Sequence, residues 1–341
     1  MDDAPEIGTA GHWCGDTFER EATVGHAFDP ELRPWISLLP VLDLRDLPAA
    51  RTLLDSVNKA APFVLPEGIS MEARSVPGPP GAPDVRVLVF SPHGGTSRPA
   101  LVYMHGGGFV LGDADGDREL PAQLAAEVGA VVVSVDYRLA PEHPFPAAIE
   151  DCYAVVRWVA GYAAELDVDP ARIGIGGVSA GGGLAVGTAL VARDRGGPAL
   201  CFQMLDIPEL DDRLQTPSMR QFVDTPLWNL SNAEESWRRY LGAQAGGDAV
   251  SPYAAPARAH DLSGLPAAYV SVCQFDPLRD EGIAYAQRLV QHGVPTELHL
   301  HPRAFHGSGG LIPTAAISCR MRAELVDATR RGLATVHSSC R

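Results

Sequence analysis

The chain has 341 residues, of which 46% are hydrophobic, and carries a net charge of −15 at pH 7. That suffices for one large domain, or for a core with an appended lid. The acidic balance argues against nucleic acid and anionic membrane surfaces as partners, and no apolar run is long enough to span a bilayer.

The first residues, Met1-Asp2-Asp3-Ala4-Pro5-Glu6, show neither the basic region nor the apolar stretch of a secretory signal, so a cytoplasmic location is expected. Cys14, Cys152, Cys201, Cys273, Cys319 and Cys340 form no C-x-x-C pair and read as free thiols. Residues 1–65 read as helical or irregular, with Trp13, Phe18, Phe28, Trp35 and several prolines. Strand signals begin at Val85–Phe90. The continuous apolar runs Ala100–Met104 and Ala130–Val135 suit strands buried on both faces. A helix is expected around Arg118–Val128 and another over about Ala147–Ala164. A strand at Arg172–Gly176, a helix from Gly182 and a short strand at Cys201–Leu205 come next.

Residues 206–247 break this alternation with acidic clusters, prolines and the exposed-looking aromatics Phe222, Trp228 and Trp237. It resumes with a strand at Ala267–Val272, a helix at about Asp280–Gln291, a strand at Glu297–Leu300 and a terminal helix over about Thr314–Gly332. Alternating strands and helices predict an α/β fold with a mostly parallel sheet covered on both faces. The segments 1–65 and 206–247 are left over. A position above the C-terminal edge of the sheet, where α/β folds place their sites, suits both. The core is then 66–205 and 248–341. No internal repeat is present.

Ser179 lies in Gly177-Val178-Ser179-Ala180-Gly181, between an apolar strand signal and a small-residue helix signal. That is the context of a strand-to-helix turn that exposes a nucleophilic serine. A serine needs a base, and the base needs an orienting acid. Asp276 follows the strand Tyr269–Cys273, and His306 follows Glu297–Leu300, both on loops past strand C-termini. The competing acid is Asp280, which opens the next helix and reads better as its cap. The competing histidines His292, His299 and His301 sit at a helix end or within a strand. His299 and His301 share a strand face, but with no third ligand nearby they read as surface residues, so no metal is expected. His105-Gly106-Gly107-Gly108-Phe109 follows another strand, and its glycines let backbone N–H groups approach a reacting carbonyl. No lysine and hydroxyl residue follow them as in a phosphate-binding loop.

His105-Gly106-Gly107-Gly108, Asp136-Tyr137-Arg138-Leu139-Ala140-Pro141-Glu142, Gly177-x-Ser179-Ala180-Gly181-Gly182, Asp276-Pro277-Leu278-Arg279-Asp280 and Phe305-His306-Gly307 together resemble the bacterial hormone-sensitive-lipase-like esterases. The resemblance covers roughly residues 70–335. It implies an α/β-hydrolase fold with a helical cap made from residues 1–65 and 206–247, and hydrolysis of carboxylic esters without a cofactor. It implies Ser179, Asp276 and His306 as catalytic triad. Gly107, Gly108 and Ala180 would form an oxyanion hole, with His105 and Gly106 supporting that loop and Asp136–Glu142 as nearby scaffold. Two positions depart from the pattern: Val178, where a polar residue is usual, and Ser308, where an aromatic often stands.

The expected activity is cleavage of short- to medium-chain esters through an acyl-enzyme. Lactone or amide hydrolysis by the same groups is the close alternative. A non-catalytic small-molecule receptor is the rival class, disfavoured because Ser179, Asp276 and His306 are all present. The expected partner is a small-molecule ester, and a homodimer is compatible with the sequence.

Overall fold

Every second residue of the third strand faces a different core, and this alternation organises the molecule. In the computed structural model, which describes residues 26–60 and 62–334, Ala100, Val102 and Met104 enter one apolar cluster. Leu101 and Tyr103 enter the other. A strand buried on both sides needs apolar residues at every position, which is why the run reads as continuous.

Eight strands form one sheet: β1 (Ile69–Val76), β2 (Val85–Pro92), β3 (Arg98–Met104), β4 (Val131–Asp136), β5 (Val168–Val178), β6 (Phe202–Asp206), β7 (Ala267–Phe275) and β8 (Thr296–Phe305). Their order is β1-β2-β4-β3-β5-β6-β7-β8. β1 and β2 are antiparallel, as are β2 and β4, and the remaining pairs are parallel. The helices are α1 (Leu47–Ala60), α2 (Glu119–Val128), α3 (Ala147–Gly161), α4 (Ala180–Asp194), α5 (Pro217–Gln221), α6 (Leu230–Leu241), α7 (Arg279–Gln291), α8 (Ser308–Leu311) and α9 (Ala316–Ala334). α3, α4 and α7 cover one face of the sheet, and α2 and α9 the other. α4 is buried from Ala180 to Ala192. A helix buried on all sides has no polar stripe, and its glycines and alanines let the sheet and α3 approach closely.

β1 has no counterpart among the expected strands. It is an edge strand in which only Ile69 and Val76 are buried, so its sequence carries little apolar signal. The aromatics of the 206–247 segment look exposed in the sequence, although its tryptophans read as packing residues rather than substrate contacts. Phe222, Trp228 and Trp237 are 1%, 5% and 1% exposed, so they are packing residues and not surface groups. Phe109 stacks on Tyr240 of α6 with centroids 4.2 Å apart, and Trp237 lies against the same ring. His301, expected at the surface, is also buried.

The two leftover segments meet. The Leu44 amide donates to Asn232 Oδ1 (3.1 Å), Asn232 Nδ2 donates to the Leu42 carbonyl (2.9 Å), and Arg239 donates to the Leu44 carbonyl (2.8 Å). α6 and the stretch before α1 are thus tied together. Trp13, Phe18, Cys14 and Cys340 lie outside the described residues. Among the described residues no helix is long and apolar enough to cross a membrane.

Candidate active site

The turn between β5 and α4 forces its chain into an uncommon conformation. Ser179 has φ 56° and ψ −121°, a cost that surrounding structure must offset. Backbone bonds do this. The Ser179 amide donates to the Asp206 carbonyl (2.8 Å), and the Ser179 carbonyl accepts from Glu209 (3.0 Å) and Gly183 (3.1 Å). The flanking glycines are required by space. A β-carbon on Gly177 would stand 2.4 Å from the Gly181 backbone, and one on Gly181 would stand 2.1 Å from the Met104 carbonyl oxygen.

Two loops converge on this turn. His306 Nε2 lies 3.0 Å from Ser179 Oγ, and His306 Nδ1 lies 2.8 Å from Asp276 Oδ2. All three side chains are buried. Asp276 Oδ1 accepts from the Leu278 amide at 2.8 Å, so both carboxylate oxygens are engaged. The carboxylate fixes the imidazole proton on Nδ1, which leaves the Nε2 lone pair facing the serine hydroxyl. The order Ser, Asp, His along the chain becomes one hydrogen-bonded line in space.

Beside Ser179 runs the loop Gly106–Gly108. A β-carbon on Gly106 would lie 3.3 Å from the Val178 carbonyl oxygen, which measures how closely this loop abuts the elbow. His105 sits beneath it, with Nδ1 2.8 Å from the Gly106 carbonyl and its ring stacked on Tyr137 at 4.2 Å. The Tyr137 hydroxyl donates to the His105 carbonyl (2.8 Å). Burial pushes the His105 imidazole down from its ordinary value, so it stays neutral. Nearby, Arg138 pairs with the buried Asp151, and Arg51 pairs with Glu142. The segment 136–142 therefore braces the site. Ala180 opens α4 directly after the serine.

Asp280 does not join the line, and it does not cap its own helix either. Its carboxylate accepts from the Ser218 amide (2.7 Å) at the start of α5, while its own amide donates to the Ser218 hydroxyl oxygen (3.0 Å). His292 bonds the Arg288 carbonyl and His299 bonds Glu297 and Glu324, so both are occupied elsewhere. Val178 pairs in register with Asp206 of β6. Both line a cavity of about 290 Å³ with Asp117, Gly307 and Arg322. The acid nearest position 178 on this face is therefore Asp206, on the adjoining strand. Asp206 is pushed above the usual carboxylate range by burial and accepts the Ser271 hydroxyl. Ser308 is buried and starts the short α8. Among the described residues no cluster of three or more His, Cys, Asp or Glu could hold a metal ion.

The sequence assigns no site role to Glu209 or Ser236, and it reads Trp228 as a packing residue. The Trp228 ring lies 5.8 Å from the His306 ring, and a β-carbon on Gly108 would stand 2.5 Å from the indole. Ser236 donates to the Gly108 carbonyl at 2.9 Å. Glu209 is fully buried and lies 3.1 Å from Ser236. The one available signal was an acid set among apolar residues in Ile207-Pro208-Glu209-Leu210, just past a strand end.

A family model for the α/β-hydrolase fold matches residues 101–309, a stretch that includes Ser179, Asp276 and His306. The chain belongs to the hormone-sensitive-lipase-like carboxylesterases. Esterase LipI of Mycobacterium tuberculosis is 38% identical over 322 residues, covering 86% of this chain and 97% of the relative. Carboxylesterase NlhH of the same species is 38% identical, covering 90% and 96%. The solved structure of a bacterial heroin esterase superposes with TM-score 0.87 at 49% identity, covering 90% of this chain and 98% of the other. The enzyme is accordingly a carboxylic ester hydrolase.

Proposed function

We propose that the enzyme cleaves esters of short to medium acyl chains by a Ser179-His306-Asp276 triad through an acyl-enzyme. The observation that carries this reading is the line from Asp276 through His306 to Ser179, with contacts of 2.8 and 3.0 Å. Ser179 Oγ attacks the ester carbonyl carbon while its proton passes to His306 Nε2. Asp276 stabilises the imidazolium that results. The carbonyl oxygen becomes an oxyanion facing the amides of Gly107, Gly108 and Ala180, and α4 begins at that point with the positive end of its dipole. Collapse of this intermediate breaks the bond to the alkoxy oxygen, which leaves with the proton from His306. Water then attacks the acyl carbon and gives its proton to His306; as the acyl–Oγ bond breaks, His306 returns that proton to Ser179 Oγ, releasing the acid and the free serine.

The acyl preference follows from what closes the site. The contact of Trp228 with Gly108 sets a wall beside the oxyanion position. Each methylene buried before that wall contributes about 0.8 kcal/mol, and those beyond it must displace packed side chains. The segments 1–65 and 206–247 act in this reading as a cap over the serine.

A series of nitrophenyl esters of rising acyl length tests the proposal, with Ser179→Ala as control. Specificity is expected to rise over the first few carbons and then fall. A rate that climbs to long chains, or a folded Ser179→Ala enzyme with normal turnover, rejects it.

A further inference from the structure

The Ser236 hydroxyl stands between two oxygen atoms, the Gly108 carbonyl at 2.9 Å and Glu209 Oε1 at 3.1 Å. A hydroxyl carries one proton, and a carbonyl only accepts. If Ser236 donates to Gly108, the bond to Glu209 must be donated by the glutamic acid. If Glu209 is ionised, it draws the Ser236 proton, and a serine lone pair is left facing the Gly108 carbonyl.

We propose that Glu209 and Ser236 are positioning residues for the oxyanion loop, a neutral Glu209 donating to Ser236 so that Ser236 donates to the Gly108 carbonyl. The inference rests on the assignment of Gly107 and Gly108 to oxyanion binding made above. Glu209 reaches the site by two routes. Its side chain acts through Ser236 on the loop, and its amide bonds the Ser179 carbonyl at 3.0 Å. The loop has little slack at this point. Gly108 adopts φ +58°, and a β-carbon there would stand 2.5 Å from Trp228 and 3.1 Å from Ser236 Oγ. Fixing the Gly108 carbonyl fixes the conformation of the residue whose amide meets the oxyanion.

The surroundings of Glu209 favour its neutral form. The side chain is fully buried, and Oε2 has no hydrogen-bond partner. The ionisable groups acting with it are acids: Asp276 from the loop after β7 and Glu281 from α7, which is itself buried. α6 presents the Ser236 hydroxyl, and the oxyanion loop presents its backbone. Burial pushes the Glu209 carboxyl up to about 8, with the Ser236 bond opposing and Asp276 adding to the rise. The group is therefore protonated at neutral pH and loses its proton as pH rises through that value. The negative charge of the reaction adds to the same preference, since an oxyanion disfavours an ionised carboxylate one relay away.

The experiment is kcat and KM for nitrophenyl butyrate between pH 6.5 and 10, corrected for spontaneous hydrolysis, in wild type, Glu209→Gln, Ser236→Ala and Ser179→Ala. Wild-type kcat is expected to fall above about pH 8 by roughly threefold to tenfold, the worth of one neutral hydrogen bond, with KM little changed. Glu209→Gln keeps an N–H donor toward Ser236 and cannot ionise, so its kcat stays level over the alkaline range. Ser236→Ala loses a similar factor at neutral pH, where wild type is intact. An alkaline fall that persists in Glu209→Gln, or a wild-type kcat flat to pH 10, overturns the proposal even if Ser236→Ala fails to fold. Activity in Ser179→Ala would instead overturn the underlying site assignment.

Discussion

Replacing Asp276 by Asn is expected to abolish most turnover for a reason the hydrogen bonds specify. Oδ1 accepts from the Leu278 amide, and Oδ2 faces His306 Nδ1, each at 2.8 Å. An asparagine has one acceptor and one donor in those two places. Turning its NH₂ toward Leu278 would oppose two donors in a buried position, so the amide oxygen takes that place. The NH₂ then faces Nδ1 and donates to it. The imidazole proton moves to Nε2, which faces Ser179 Oγ at 3.0 Å and can no longer accept. A triad base held in the wrong tautomer loses about 10⁴-fold in kcat, or ~5 kcal/mol of transition-state stabilisation. Asp280→Asn is the matched control. Asp280 braces Ser218 at the start of α5, so its loss is expected to lower stability by about 1 kcal/mol and leave turnover within a few-fold. The assay is kcat/KM on nitrophenyl butyrate, with thermal unfolding to establish that both variants fold. A loss that follows position 280, or near wild-type turnover in folded Asp276→Asn, would refute the reasoning.

Trp228→Ala should move the acyl-length optimum to longer chains by removing the wall against Gly108, at a stability cost of about 3–5 kcal/mol for a buried aromatic; an unchanged chain-length profile counts against that wall. Asp212→Ala should lower stability by about 3–5 kcal/mol in denaturant unfolding, because Asp212 is 2% exposed, pairs with Arg258 at 2.9 Å and accepts the Gly246 amide. Asp117, which accepts the Tyr103 hydroxyl at 2.6 Å, is raised by burial from 3.8 to about 6. The folded state therefore binds this proton more tightly than the unfolded chain, so its contribution is complete below pH 3.8 and is lost as pH rises to about 6. Asp117→Asn is expected to raise the unfolding free energy at pH 8, by on the order of 1 kcal/mol given its partial exposure, and not at pH 4; equal effects at both would contradict this.

The central strands were legible because burial on both faces makes their apolar runs continuous, as in Ala100–Met104 and Val131–Val135. The elbow was legible because Gly177 and Gly181 are the residues its close contacts permit. β1 was not, since an edge strand with two buried residues has no pattern to read. The burial of Phe222, Trp228 and Trp237 depends on packing between segments distant in sequence, and local polarity pointed the wrong way. Asp280 illustrates a related limit. Its position suggested a cap, and the helix it braces is α5, some 60 residues earlier, as the Ser218 contact shows (|i−j| = 62). Ser236 was invisible for the same reason, and Glu209 showed only as an acid among apolar residues; both become informative once Ser236 is seen between Glu209 and the Gly108 carbonyl.

Covalent labelling tests the central claim most directly. Wild-type enzyme treated with a fluorophosphonate should gain one adduct, mapped by mass spectrometry to the peptide holding Ser179, as activity disappears in proportion. Ser179→Ala should take up none, and prior incubation with substrate should slow the labelling. An adduct on another serine that tracks inactivation, or full loss of activity with Ser179 unmodified, would contradict the account.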